Sequence, residues 1–350
     1  MKMRKLLVFI GALLFALTVK AQDPHFSQFF ASPLTLNPAF TGKFSGSWRL
    51  AANHRDQWPS IPKAYVTTSA SLDFGILKRG IPETDVFGIG ISGVSDASAN
   101  SALKLNYGSL SMSYHKALDE NGYSTIGAGF QATYSSLTLD VSKLYFENQL
   151  RQNGFDQSIP SGEIFDKGTN QSYLDINAGL LYSGSTNGEN NFYLGASMYH
   201  INRPKVNFST YSIHPVTGVR TDHPTWYLSG RISIHGGGSF PLSEQLTVHT
   251  SLIHQMQNKA SETTVGAALA ANLNGDSDNP SSVYLGSWVR FNDAIIPYIG
   301  IEIGGLRIGG SYDFNISNLK AATGSRGGSE FSIIYIKRPA EYKGIPCPKF

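Results

Sequence analysis

The sequence has one cysteine, few charges and, beyond Leu17, no long apolar run. Its single thiol, Cys347, excludes any internal disulfide, so no cystine framework holds the chain together. Lys, Arg, Asp and Glu make up 15 % of the residues, against roughly 25 % in a soluble domain. No later stretch reaches the ~18 apolar residues of a membrane-spanning helix, which excludes helical spans. The formal charge of +3 counts the N-terminal Lys2, Arg4 and Lys5, leaving the remainder close to neutral and implying no nucleic-acid partner.

What is present begins with an export signal. Lys2, Arg4 and Lys5 precede an apolar stretch from Leu6 to Leu17, and Val19-Lys20-Ala21 supplies small residues before a cut at Gln22. The stretch is too short to cross a bilayer, which needs roughly 20 apolar residues. No cysteine follows it, so lipoprotein anchoring at that point is excluded. Residues 1–21 are therefore read as a signal peptide.

Behind the signal, residues 22–47 are punctuated by Pro24, Pro33 and Pro38, which prevents a regular ladder strand. This segment is expected to be a strap or plug, with Phe26, Phe29, Phe30 and Phe40 as its filling side chains. Then come about fourteen segments alternating apolar and polar residues. They lie near 48–58, 63–74, 86–96, 103–116, 123–140, 173–184, 191–201, 226–236, 245–258, 262–273, 282–292, 296–303, 306–314 and 329–338. Hydrocarbon tolerates no unpaired strand edge, so an exported chain with this pattern closes into an antiparallel up-and-down transmembrane β-barrel, here over 48–338. Plentiful Gly (36), Tyr (17) and Phe (20) suit close strand packing and aromatic girdles. Trp48, Trp58, Trp226 and Trp288 are read as girdle residues.

Loop lengths orient the barrel. The three longest gaps, Val141 to Ser172, Asn202 to Thr225 and Asn315 to Gly328, all follow odd-numbered strands, as external loops would if both ends of the barrel are periplasmic. The clearest hairpin runs from Ile296 to Phe314 around Gly304-Gly305. Its register sets Glu302 opposite Arg307, an expected lumen-facing ion pair. Asp73, Arg231, His235 and Arg290 occupy the polar faces of other strands and are expected in the lumen.

Strings that imitate catalytic motifs have plainer readings. Gly88, Gly90 and Gly93 spell a dinucleotide-binding pattern without any βαβ unit around it. His235-Gly236-Gly237-Gly238 resembles a lipase oxyanion loop, but no G-x-S-x-G elbow exists, and a strand end running into a turn accounts for it. His54-Arg55-Asp56 lacks every other kinase element, and Asn272 to Asp278 lacks the twelfth-position Glu of a calcium loop. The nine His residues show no paired metal spacing. No catalytic residue, cofactor or metal is expected.

Several strings are similar to one family. Gln22-Asp23-Pro24-His25-Phe26-Ser27-Gln28-Phe29 followed by Pro33-Leu34-Thr35-Leu36-Asn37-Pro38-Ala39-Phe40-Thr41-Gly42 resembles the opening of mature PorP/SprF proteins of the Bacteroidetes. Arg55-Asp56-Gln57-Trp58-Pro59, Ser71-Leu72-Asp73, Ser311-Tyr312-Asp313-Phe314-Asn315-Ile316-Ser317 and Gly327-Gly328-Ser329-Glu330-Phe331-Ser332 fit the same family. The resemblance implies an outer-membrane barrel of the type IX secretion system that assists secretion or surface attachment of a cargo with a C-terminal sorting domain. It also implies contact with outer-membrane lipid and with other secretion components, such as a periplasmic ring or a peptidoglycan-binding lipoprotein. Unlike barrels that end on a strand, this chain continues through a Pro-rich tail, residues 339–350, so either Phe350 or the Phe331 to Ile336 strand carries the assembly signal.

Function would then reside in the strap and the external loops, because loops on a rigid scaffold host binding. Leu144, Tyr145, Phe146, Leu150 and Phe155 mark one loop as a short amphipathic helix folded over the pore or a candidate contact for cargo, the plainer alternative being a loop cap that packs on itself. The alternative is a passive diffusion porin or small-solute transporter, whose lumen would be wide and wet. An outer-membrane enzyme would need a rim cluster of nucleophilic or acidic residues, and a β-propeller would need blade repeats; neither pattern is present.

Overall fold

A computed structural model describes residues 23–61, 64–76, 82, 84–274 and 281–337. The signal peptide, the tail with Cys347 and most of the Asn272 to Asp278 turn lie outside the described residues. The barrel strands are β1 (Trp48–Gln57), β2 (Tyr65–Ile76), β3 (Val86–Ser98), β4 (Leu103–Ala117), β5 (Thr125–Leu139), β6 (Asn170–Ser185) and β7 (Asn191–Tyr199). They continue as β8 (Arg231–Pro241), β9 (Leu246–Gln257), β10 (Ala260–Asn272), β11 (Ser281–Arg290), β12 (Ala294–Ile303), β13 (Leu306–Asn315) and β14 (Arg326–Lys337). Each pairs antiparallel with its neighbour in sequence, and β1 pairs with β14 to close the barrel, so no strand edge is left open.

Alternation places the two faces as a bilayer requires. Lipid-side positions such as Leu110, Phe130, Leu174, Leu285 and Ile299 are exposed, Leu110 by 67 %, while the intervening Ser109, Ser111, Gln131, Thr133 and Asn177 are buried inside. A water-soluble protein would invert that arrangement. The long connections from β5 to β6, from β7 to β8 and from β13 to β14 share one end with several short turns, such as Asn258-Lys259, whereas Gly304-Gly305 lies at the opposite end, where no connection among the described residues is comparably long. The end with the long loops is the outer side and the opposite end the periplasmic side.

Three local expectations change. The eighth strand starts at Arg231 instead of near 226, because Trp226 to Leu228 pair with Pro204 to Val206 inside the outer loop. Gly236, Gly237 and Gly238 consequently lie within β8 and not in a turn; a Cβ on Gly237 would stand 2.4 Å from the Thr250 carbonyl oxygen and 2.7 Å from the Tyr193 ring. The outer loop after β5 forms no amphipathic helix. It makes 3-10 turns at Val141–Lys143 and Glu147–Gln149 and a small hairpin of Leu150–Arg151 with Gly154–Phe155. Glu163–Ile164 of that loop then joins Tyr211–Ile213 and Arg220–Asp222 of the next in a three-stranded sheet that ties the two loops together.

Candidate functional site

The lumen is occupied by the chain's own N-terminal segment, which descends from Asp23 at the outer mouth to Ser47 beside β1 at the periplasmic mouth. Pro33 and Pro38 each start one short helical turn, Pro33–Leu36 and Pro38–Phe40, so the strap compacts without needing ladder partners. Its carbonyls and amides must then be satisfied by the wall, and the polar lumen face supplies the partners.

At the outer mouth the Asp23 backbone donates to Gln257 Oε1 at 2.7 Å while Gln257 Nε2 donates back to its carboxylate at 2.9 Å. His200, just past the end of β7, bridges Asp23 Oδ2 at 2.7 Å and Asp175 Oδ2 at 2.8 Å, and Arg231 Nε lies 3.6 Å from Asp23. Burial favours the neutral Asp23 carboxyl, but the Arg231 charge and the His200 hydrogen bond outweigh it and hold its pKa below the ordinary range. Burial likewise depresses His200, yet its bonds to Asp175 and Asp23 prevail and push it up to about 9.

One step deeper, a buried charged cluster grips Ser27 and Gln28. Both backbone N–H groups donate to Glu330, at 2.7 and 2.9 Å, and the Ser27 hydroxyl donates to Asp313 at 2.8 Å. Arg55 bridges Asp313 at 2.8 Å and Glu330 at 3.1 Å and also reaches Ser27. Arg290 pairs with Asp313 at 3.1 Å and Asp293 at 2.9 Å, and His25 lies 3.2 Å from Glu262. An isolated charge here would cost several kcal/mol, and the alternation of guanidinium and carboxylate groups offsets it.

Aromatic packing fills the middle. Phe30 stacks on Trp288 with ring centroids 4.8 Å apart and meets Tyr298 edge-on at 5.5 Å, while Phe40 meets Tyr193 edge-on at 5.6 Å. Asn37, fully buried, caps the Pro38–Phe40 turn by accepting from the Ala39 N–H at 2.8 Å and donates to the Leu180 carbonyl at 3.0 Å and to His235 Nε2 at 3.2 Å. That donation makes Nε2 the unprotonated nitrogen of His235. Wall glycines leave slots for this contact: a Cβ at Gly179 would stand 1.9 Å from Asn37 Oδ1, and one at Gly129 would stand 2.3 Å from the Ala39 nitrogen.

Near the periplasmic mouth Arg49 forks onto Asp73 at 3.0 and 2.9 Å and donates to the Phe40 carbonyl at 3.0 Å. Asp73 also accepts the Gly42 N–H at 2.7 Å, and Lys43 donates to Thr125 at 2.9 Å. Gly42, at φ +70°, turns the strap so closely past β3 that only glycine fits opposite it, at Gly88.

Of the residues singled out in the sequence, Phe26, Phe29 and Phe40 are buried and Phe30 is half-buried in the lumen. Glu302 and Arg307 face each other across β12 and β13, Arg307 Nη2 donating at 2.7 Å, with Tyr284 stacked beneath the guanidinium. Asp73, Arg231, His235 and Arg290 are buried inside and touch the strap through Gly42, Thr35, Asn37 and Ser27 respectively. Tyr145, Leu150 and Phe155 are exposed on the outer loop, with the Tyr145 and Phe155 rings 5.2 Å apart, whereas Leu144 and Phe146 are half-buried. Trp288 is corrected from girdle to lumen: it is buried, and its Nε1 donates to Ser251 Oγ at 2.9 Å. Sequence reasoning did not single out Arg49, Arg55, Asp313, Glu330, Asn37 or His200 as site residues. Among the described residues, no group of three or more His, Cys, Asp or Glu side chains is placed to hold a metal ion.

The chain path is similar to the CymD monoaromatic hydrocarbon channel, at 11 % identity and TM-score 0.47, over 89 % of this chain and 94 % of that one. It is similar also to the Ralstonia pickettii toluene transporter TbuX (10 % identity, TM-score 0.47, 88 % and 93 % covered) and the Pseudomonas putida toluene transporter TodX (10 %, 0.46, 89 % and 93 %). Likenesses of this size carry no inference about a solute. No curated protein sequence matches the chain. The sequence profile of the type IX secretion system membrane protein PorP/SprF, however, matches residues 18–335, from before the strap into the last strand. The chain therefore belongs to the PorP/SprF family of type IX secretion system membrane proteins and is an outer-membrane β-barrel.

Proposed function

We propose that this barrel is a closed, non-catalytic scaffold that assists secretion or surface attachment of a cargo protein carrying a C-terminal sorting domain, or ties the periplasmic part of the machine to the outer membrane. One observation carries the reading: the strap fills the lumen from Asp23 to Ser47 and is bonded to the wall along its length. A filled lumen leaves solute diffusion without a path, so the work falls to the two rims. At the outer rim the exposed Tyr145, Leu150 and Phe155 offer the aromatic and aliphatic anchors on which protein contacts concentrate their binding energy. At the periplasmic rim a component of the secretion machine is the expected partner, as family membership suggests.

The test has two arms. Purified protein in planar bilayers should show no stable open conductance; a steady open channel would favour the diffusion porin instead. Deleting the gene should remove particular proteins from the cell surface, and an unchanged surface inventory by mass spectrometry would overturn the secretion role.

A further inference from the structure

The strap does more than fill the barrel, because a dense group of its bonds falls on the one pairing that closes it. Every other strand pairs with its sequence neighbour, while β1 meets β14 across almost the whole chain, from Trp48 with Lys337 to Gln57 with Gly328. That seam carries the largest loop-closure cost in the molecule. On its lumen side Arg55 stands in register with Glu330 and Asn53 with Ser332. Gln28 spans these residues from the strap: its Nε2 donates to the Glu330 carbonyl at 2.9 Å and to Ser311 on β13 at 3.0 Å, and its Oε1 accepts from Ser332 at 2.6 Å. The Ser27 and Gln28 amides donate to the same Glu330 carboxylate that Asn53 and Arg55 of β1 hold from the other side. A few residues on, Ala31 packs against Ala51 of β1 and Ile334 of β14 in an apolar cluster of its own.

We infer that the strap is a staple for the barrel seam: it binds β13 and β14 while the sheet is still open, and the Ser27–Gln28 peptide presents Glu330 to Arg55 so that β1 closes last. The geometry disfavours the reverse order. With the strap seated, Ser27, Gln28, Arg55 and Glu330 are all at most 2 % exposed, so a strap arriving after closure would have to displace the water on these wall groups from within a closed lumen. Asp23 also lies at the outer mouth while Ser47, which joins β1, lies at the periplasmic one, so the strap would have to travel the length of a closed lumen. A seam formed first would bury Glu330 and Asp313 against Arg55 without the two amides and two strap side chains that complete the cluster.

Refolding of the full chain into detergent micelles, with Cys347→Ser and paired cysteines, tests the order. Ala52→Cys with Ile333→Cys, register partners on the lipid face, reports the seam. Ala31→Cys with Ile334→Cys reports strap on β14, and Ala132→Cys with Ile176→Cys reports an ordinary pairing of consecutive strands. The strap cross-link should form no later than the seam cross-link. The strap-only change Ser27→Ala with Gln28→Ala should slow the seam cross-link at least ~10-fold relative to the Ala132 and Ile176 pair, as expected when several buried polar groups lose partners together. A seam cross-link that precedes the strap cross-link, or whose relative rate is untouched by the strap substitutions, overturns the inference.

Discussion

Gly129 and Gly108 lie on the two adjacent strands β5 and β4 and make opposite demands. A Cβ at Gly129 would stand 2.3 Å from the Ala39 nitrogen and 2.4 Å from the Pro38 carbonyl carbon, both strap backbone, whereas a Cβ at Gly108 meets nothing within 4 Å. Gly129→Ala must therefore push the strap outward by about 1 Å to restore ordinary contact, an overpacking that typically costs about 1–3 kcal/mol. The shift also strains the 2.8 Å bond between His115 Nε2 and the Ala39 carbonyl, worth a further ~0.5–1.5 kcal/mol. Together these weaken strap seating by about 1.5–4.5 kcal/mol, a factor of roughly 10 to 2,000 in the unseated population. Lys43 is the sole Lys or Arg between Asp23 and Ser47 and is buried when the strap is seated, so trypsin reads that population directly. Cleavage after Lys43 in micelle-bound protein should accelerate by that factor in Gly129→Ala and stay at the parent rate in Gly108→Ala, tracking the open fraction when reclosing is fast. Equal cleavage rates for the two variants would refute the claim that wall glycines are slots for the strap.

Arg49→Met should destabilise the barrel by roughly 3–5 kcal/mol in urea unfolding, because Asp73 is left buried with only the Gly42 amide; adding Asp73→Leu should recover part of the loss. The outer latch should respond to pH. His200 has an ordinary value of 6.5 and is raised to about 9 when folded, so its contribution, on the order of 3 kcal/mol, is complete below pH 6.5 and fades as pH climbs through 9. Asp23 is shifted down, so its share is complete above its ordinary value of 3.8 and is lost only in stronger acid; hydrogen-exchange protection at the strap, corrected for the intrinsic rate at each pH, should therefore fall above pH 8 in the parent and lose that pH dependence in His200→Gln. Replacing both Tyr145 and Phe155 by Ala should leave barrel unfolding within about 0.5 kcal/mol of the parent, since both are exposed, while lowering the amount of cargo at the cell surface.

The barrel was legible because a bilayer outside and a polar lumen inside impose a strict two-residue period on every strand. Boundaries near Trp48, Val86, Leu103, Asn191 and Leu306 could be read within a residue or two for that reason. The eighth strand was displaced because Trp226 and Tyr227 alternate like strand residues yet are committed to Lys205 and Val206 in the outer loop. Trp288 could have been placed from sequence: it shares a strand with Arg290 two residues away, and residues two apart share a face. Trp suits both an interface belt and a buried ring stack, and composition alone could not decide between them.

The strap network was not legible because its partners are far apart in sequence and ordinary in type. Ser27 and Glu330 are 303 residues apart, and neither periodicity nor spacing links a serine near one end to a glutamate near the other. Yet the strings at the start of the strap, around Arg55 and Asp73, and around Asp313 and Glu330 all meet at two clusters, one around Ser27 and Gln28 and one around Gly42. Those strings join residues from both ends of the chain in one lumen, and their polar members are the ones that bond the strap. Two of the three dinucleotide-like glycines belong to the same logic, since Gly88 faces Thr41 and Gly42, and Gly90 faces Asp73 and Leu34. At Gly88 and Gly90 a pattern that imitates a dinucleotide-binding motif is the imprint of a second backbone lying against the wall. The wall's guanidinium and carboxylate groups pair with one another, and the strap completes their hydrogen bonding with the Ser27, Gln28 and Gly42 amides; under the proposed function, a secretion role then works through the rims or through a partner able to compete for those bonds.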